Sequence, residues 1–84
     1  MTTDQWGDVR RLVEHIAQSL VDEPEKVAVE VVDSEQASTL MLRVAQPDVG
    51  KVIGKQGRTA RSIRTILSAA GMKLRKRFTL EILE

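Results

Sequence analysis

Two of the chain's five glycines stand close together in Val52-Ile53-Gly54-Lys55-Gln56-Gly57, and arginine follows at Arg58, Arg61 and Arg64. A single glycine suffices for a turn. A pair allows backbone angles and a closeness of approach that a β-carbon would block. Apolar residues recur at helical spacing on both sides, so the fold must contain a tight, backbone-exposed link between two helices. The second helix starts at the link, where unsatisfied N–H groups and the helix dipole favour an anion such as a phosphate.

Upstream, Trp6, Val9, Leu12, Val13, Ile16 and Leu20 recur every three or four residues and predict an amphipathic helix over 5–21, with Thr3 or Asp4 as its cap and Pro24 beyond its end. Trp6 reads as the anchor of that helix. The β-branched run Val27–Val32 and the alternating Leu40, Leu42 and Val44 predict two strands, most simply a hairpin over 27–45. Pro47 suits the first turn of a short helix that carries Val49, Val52 and Ile53 inward and ends at Gly54. A further helix over 58–70 buries Ala60, Ile63, Ile66, Leu67 and Ala70 and stops at Gly71. A last strand over 73–83 places Leu74, Phe78, Leu80 and Ile82 on one face, interrupted by Lys76. Gly50 reads as tolerance of close packing near the link.

The 84 residues fit one α+β domain, 1–84, in the order α-β-β-α-α-β. The chain has no cysteine and a single histidine, His15, on the polar side of the first helix, so metal and triad chemistry lack parts and no cofactor is expected. No apolar run approaches the ~20 residues that span a bilayer, and no leader segment is evident, which predicts a cytoplasmic protein. Charge is strongly divided. Residues 1–48 carry four basic against ten acidic side chains, a balance of −6, whereas 49–84 carry nine against two, a balance of +7. A polyanion would be drawn to the second half, where every charge from Lys51 to Arg77 is positive.

With Val-Ile before the glycines, Lys55 between them, a basic helix after them and a helix plus hairpin upstream, the chain resembles the KH domain family. The hallmark of that family is an Ile-Gly-x-x-Gly loop that clamps about four nucleotides of a single strand. The order of elements matches the bacterial type II arrangement, which implies a three-stranded mixed sheet packed on three helices. The small size and the run DVGKVIGKQGRTARSIRTIL are most similar to the KhpA family of stand-alone KH proteins. The resemblance implies single-stranded RNA as ligand, self-association, and pairing with the larger KhpB (Jag-type) protein. It also implies a role as RNA chaperone or post-transcriptional regulator linked to cell growth and shape. Carried onto this chain, the RNA-binding residues are Ile53, Gly54, Lys55, Gln56, Gly57, Arg58 and Arg61, with Lys51 and Arg64 as further candidates. Val49, Val52, Ile53 and Ile63 would wall the groove. Ala60 stands where many KH domains have a bulky aliphatic residue, and with Trp6 and Phe78 as the sole aromatics, base stacking contributes little.

A nucleotide-hydrolysing P-loop is excluded, because Gly50 and Gly54 are separated by three residues rather than four and Gln56 replaces the Mg²⁺-binding hydroxyl. No catalytic constellation is present, which predicts a non-enzyme. The alternative of a different class is a protein-interaction module acting mainly through homodimerisation or a KhpB-like partner. Arg75, Lys76 and Arg77 either extend the RNA path or keep a sheet edge soluble.

Overall fold

The computed structural model describes residues 5–83, with side chains from Gly7 onward. The expected Trp6 anchor and the Thr3 or Asp4 cap lie outside the described side chains and residues. The first helix, α1 (Gln5–Leu20), turns Val9, Val13 and Ala17 inward and ends ahead of a 3₁₀ turn at Pro24–Lys26. Strands β1 (Ala28–Asp33) and β2 (Ser38–Arg43) pair antiparallel, from Ala28–Arg43 to Asp33–Ser38. The Ser34 hydroxyl closes their connection by donating to the Ala37 carbonyl at 2.7 Å. A second 3₁₀ turn, Gln46–Asp48, leads into α2 (Val49–Ile53), and α3 (Arg58–Leu74) follows the glycine loop. Strand β3 (Phe78–Leu83) then lies parallel to β2, from Ser38–Phe78 to Arg43–Leu83, giving a mixed sheet in the order β1-β2-β3. A parallel pair needs a long crossover, and α2 and α3 occupy it.

Period-two alternation gives each strand one apolar face: Val29 on β1, Leu40 and Leu42 on β2, and Phe78 and Leu80 on β3 are buried. The helices meet this face through Val13, Val52, Ile63 and Leu67, which form one core with the strands. Burying a side chain such as Leu67 contributes about 1.5–3 kcal/mol. The opposite sheet face carries Glu30, Arg43, Thr79 and Glu81, all exposed, so all three helices lie on one side.

Three expectations change. The helix expected to stop at Gly71 continues to Leu74, so Leu74 is helical and the last strand starts at Phe78 rather than at 73. The stop is Arg75, held left-handed at φ 57°, while the Lys76 N–H reaches back to the Gly71 carbonyl at 2.8 Å. That is a Schellman closure with arginine where glycine is usual. Gly71 is needed for space instead: a β-carbon there would run into the Lys76 carbonyl and come within 3.3 Å of Phe78. The second change concerns Leu12, Leu20 and Ile66, placed inward by their spacing but exposed in the structure, because the buried stripes are narrower than the apolar ones. Finally, among the described residues nothing outside its own helix and chain neighbours lies within 4 Å of a β-carbon built on Gly50, so packing within the chain does not explain that glycine.

Candidate nucleic-acid interface

The link between α2 and α3 is built by three residues of positive φ, Gly54, Gln56 and Gly57. Gly54 ends α2 at φ 79° and ψ 171°, and its N–H closes on the Gly50 carbonyl at 2.8 Å. Gln56 (φ 57°, ψ 26°) and Gly57 (φ 73°, ψ 15°) are both left-handed, and the Arg58 N–H returns to the Lys55 carbonyl. These angles make Lys55–Arg58 a type I′ turn. The two glycines serve different needs. A β-carbon on Gly54 would collide with the Thr59 side chain and lie 2.9 Å from the Thr59 amide, whereas around Gly57 nothing lies within 4 Å. Gly54 therefore fixes the loop against the first turn of α3, and Gly57 supplies only a backbone conformation. No side chain caps the start of α3, whose first amide, that of Arg58, is taken by the turn itself.

The cations expected at the site divide into groups. Lys55, Arg58 and Arg61 are exposed around the turn, and the Arg61 guanidinium reaches the Gln56 carbonyl at 3.5 Å. Arg64 leans the other way and donates to the Leu80 carbonyl of β3 at 3.4 Å. Among the described residues none of these four pairs with a carboxylate, so their charge faces solvent undiminished. Lys51 is different. Its ammonium lies 3.2 Å from both Asp22 and Asp48, which joins the end of α1 to the start of α2. Hydrogen bonds to Asp22 and then Asp48 hold the Lys51 pKa above its ordinary value. Lys51, expected as a further ligand contact, is thus already engaged with two carboxylates that bridge α1 and α2.

Asp48 went unnoticed in the sequence, where Pro47-Asp48 reads as an ordinary helix start. It is 1% exposed, and its Oδ2 accepts the Glu23 N–H at 3.1 Å. Burial pushes its pKa up, but the Glu23 and Asp22 amides and the Lys51 ammonium outweigh burial and hold it below the usual carboxylate range. A buried carboxylate 25 residues away from its amide partner in sequence leaves no local signal.

Of the apolar residues expected to wall a groove, Val52 and Ile63 are buried in the core, whereas Val49 and Ile53 are partly exposed. Ala60 is also buried, beneath the start of α3. Lys76 differs from its neighbours Arg75 and Arg77: it is ion-paired with Asp33 at 2.9 Å, and Asp33 also accepts the buried Ser38 hydroxyl at 2.6 Å. Its apparent interruption of the strand is a clasp between the hairpin and the approach to β3.

A family model described as the KH domain of KhpA/KhpB matches residues 10–82. RNA-binding protein KhpA of Borreliella burgdorferi is 46% identical over 80 residues, covering 95% of this chain and 98% of the relative. RNA-binding protein KhpA of Clostridium acetobutylicum is 52% identical over 75 residues, covering 89% of this chain and all (100%) of the relative. Among solved structures, Aquifex aeolicus Era bound to GDP and AlF4⁻ matches with a TM-score of 0.64 at 19% identity, over 88% of this chain and 29% of that one. Era in complex with MgGDPNP and nucleotides 1506–1542 of 16S ribosomal RNA matches equally, at 0.64 and 19%, over 88% and 28%. At such identity the likeness is one of fold, shared with a small part of the Era chains.

Proposed function

Because the chain belongs to the KhpA/KhpB family of KH domains, we propose that it is a non-catalytic cytoplasmic protein that holds single-stranded RNA at Gly54-Lys55-Gln56-Gly57. The observation that carries the reading is the type I′ turn with a bare crest at Gly57, ringed by the unpaired cations Lys55, Arg58 and Arg61. Such a turn lets a phosphate approach the protein backbone, and the cations supply attraction without base preference. Arg64 and the partly exposed Ile53 border the same strip, Arg64 toward the edge strand β3 and Ile53 at the end of α2. RNA chaperoning or post-transcriptional control is the cellular role this proposal assigns.

The test is titration of short single-stranded RNA against the wild type and a Lys55→Asp/Gln56→Asp variant. Aspartate tolerates the left-handed angles at position 56, so the fold should persist. Neutralising about three phosphates predicts a slope of log affinity on log salt near −2, at about −0.7 each. Loss of binding in the folded variant is the expected result. Unchanged affinity there, or a salt-independent affinity in the wild type, would refute the assignment.

A compatible second reading is favoured by Leu12 and Leu20 standing exposed on α1, away from the loop in sequence. It makes that helix an interface for a second copy or for a KhpB-type partner, linking two weak RNA grips. Molecular mass measured beside the titration checks it: a monomer with and without KhpB removes this reading and leaves the first intact.

A further inference from the structure

A second cationic surface lies at the far end of α3. One exposed flank of that helix runs Arg58, Arg61, Thr65, Ser68, Met72, alternating three and four residues, and therefore forms a single straight stripe, with Arg75 following at the left-handed stop. With Arg75 it is cationic at both ends and hydroxyl-bearing between, and α3 contains no acidic residue. The stripe ends at a hollow of about 300 Å³ where the close of α3 meets the start of β3, lined in part by Ser68, Met72, Arg75, Arg77 and Phe78. Met72 is 81% exposed beside it.

The helix dipole explains a cation at Lys73 or Arg75, since both are at the carbonyl end. It does not explain Arg77, which lies beyond the helix, or an open methionine among arginines. The turn also has a clasp of its own in the ion pair of Lys76 with Asp33. Two exposed guanidinium groups, neither paired with a carboxylate among the described residues, flank an adaptable apolar side chain and suit a phosphate backbone with a base laid against the sulfur.

We infer that Ser68, Met72, Arg75 and Arg77 form a second RNA contact, reached by a strand that leaves the glycine loop and follows α3. The inference rests on the loop being the first contact. Arg58 to Arg75 spans about 25 Å at 1.5 Å per residue. At about 3.4 Å per stacked nucleotide the strand needs about seven nucleotides beyond the four held at the loop. A single domain thereby engages a segment of about eleven nucleotides, nearly three times as long as the loop alone can grip.

The experiment compares oligouridylates of about four and about twelve nucleotides, with wild type, Arg75→Gly/Arg77→Gln and Lys55→Asp/Gln56→Asp. Glycine at 75 keeps the left-handed helix stop while removing the charge, so circular dichroism should match the wild type. Two added phosphate contacts steepen the salt slope for the long RNA by about 1.4. On raising salt fourfold, the wild type then loses about sevenfold more affinity for long RNA than for short, the fourfold change raised to that exponent. The Arg75→Gly/Arg77→Gln variant should erase this difference and leave short-RNA affinity unchanged. Equal slopes for both lengths in the wild type, or long-RNA binding indifferent to the variant, overturn the second contact alone. Short RNA that binds the Lys55→Asp/Gln56→Asp variant as tightly as the wild type overturns the loop assignment, and with it the path that begins there.

Discussion

Alanine at Gly54 and alanine at Gly57 should have very different costs, although the two glycines look equivalent in sequence. At Gly57 the penalty is conformational only: φ 73° is left-handed, and nothing lies within 4 Å of the new methyl. A left-handed residue with a β-carbon costs about 1–2 kcal/mol. At Gly54 the angles φ 79° and ψ 171° belong to a region that is essentially glycine-only, worth about 1–3 kcal/mol. The methyl also meets Thr59, whose β-carbon is 2.7 Å and amide 2.9 Å away. The amide belongs to the first turn of α3 and cannot retreat unless the helix shifts, an overpacking cost of about 1–3 kcal/mol more. Mid-range values give roughly 4 kcal/mol for Gly54→Ala against 1.5 for Gly57→Ala. In a domain of this size each kcal/mol moves Tm by about 4–8 °C. Thermal and urea unfolding of the two variants should separate by about 10 °C or more, Gly54→Ala being the weaker. Equal losses, or Gly57→Ala as the less stable of the two, would refute the division of labour between the glycines.

Lys51→Met should lower Tm while leaving the salt slope of RNA binding unchanged, because its ammonium serves Asp22 and Asp48; a shallower slope in a fully stable variant would return Lys51 to the interface. The same network sets the pH response. The folded pKa of Asp48 is depressed, so its contribution is present above the unfolded value of about 3.9 and is lost as pH falls through the lower folded value. Lys51 is raised, so its contribution holds below about 10.4 and is lost as pH climbs through the higher folded value. Unfolding monitored in Asp48→Asn should show both limbs flattened relative to the wild type. Gly71→Ala should destabilise even though alanine is the better helix former by about 1 kcal/mol, since the Lys76 carbonyl occupies the space; a Tm at or above wild type would contradict that packing.

Much of this architecture is legible from residue order. Period-two runs marked β1, β2 and β3, three- and four-residue spacing marked α1 and α3, and two glycines marked the loop between α2 and α3. The failures share a cause. Gly71 resembles a helix stop, and only the approach of Lys76 across the turn shows that it is a packing residue, while the real stop falls on an arginine with no turn propensity. Leu12 and Ile66 follow the helical period, yet exposure depends on where neighbouring elements end. At the candidate site, the exposure of Lys55, Arg58 and Arg61 around the loop follows from their positions beside the glycines. Lys51 could not be set apart from them, because its partners Asp22 and Asp48 converge only through the fold.

The parallel pairing of β2 with β3 also bears on the order in which the protein comes together. Thr39 and Thr79, joined at 2.9 Å, are 40 residues apart, whereas Asp33 and Ser38 in the hairpin are separated by five. Closing the longer span costs about 2 kcal/mol more in chain entropy, so the hairpin has the kinetic advantage and β3 is expected to dock late. Its late docking matters for the loop, since Arg64 is held by Leu80 and Gly71 packs against Lys76. During synthesis, a chain released only as far as α3 would carry every loop residue without the strand that orients their helix. Competence at the loop should therefore appear abruptly, with the emergence of Phe78–Leu83, rather than grow with chain length.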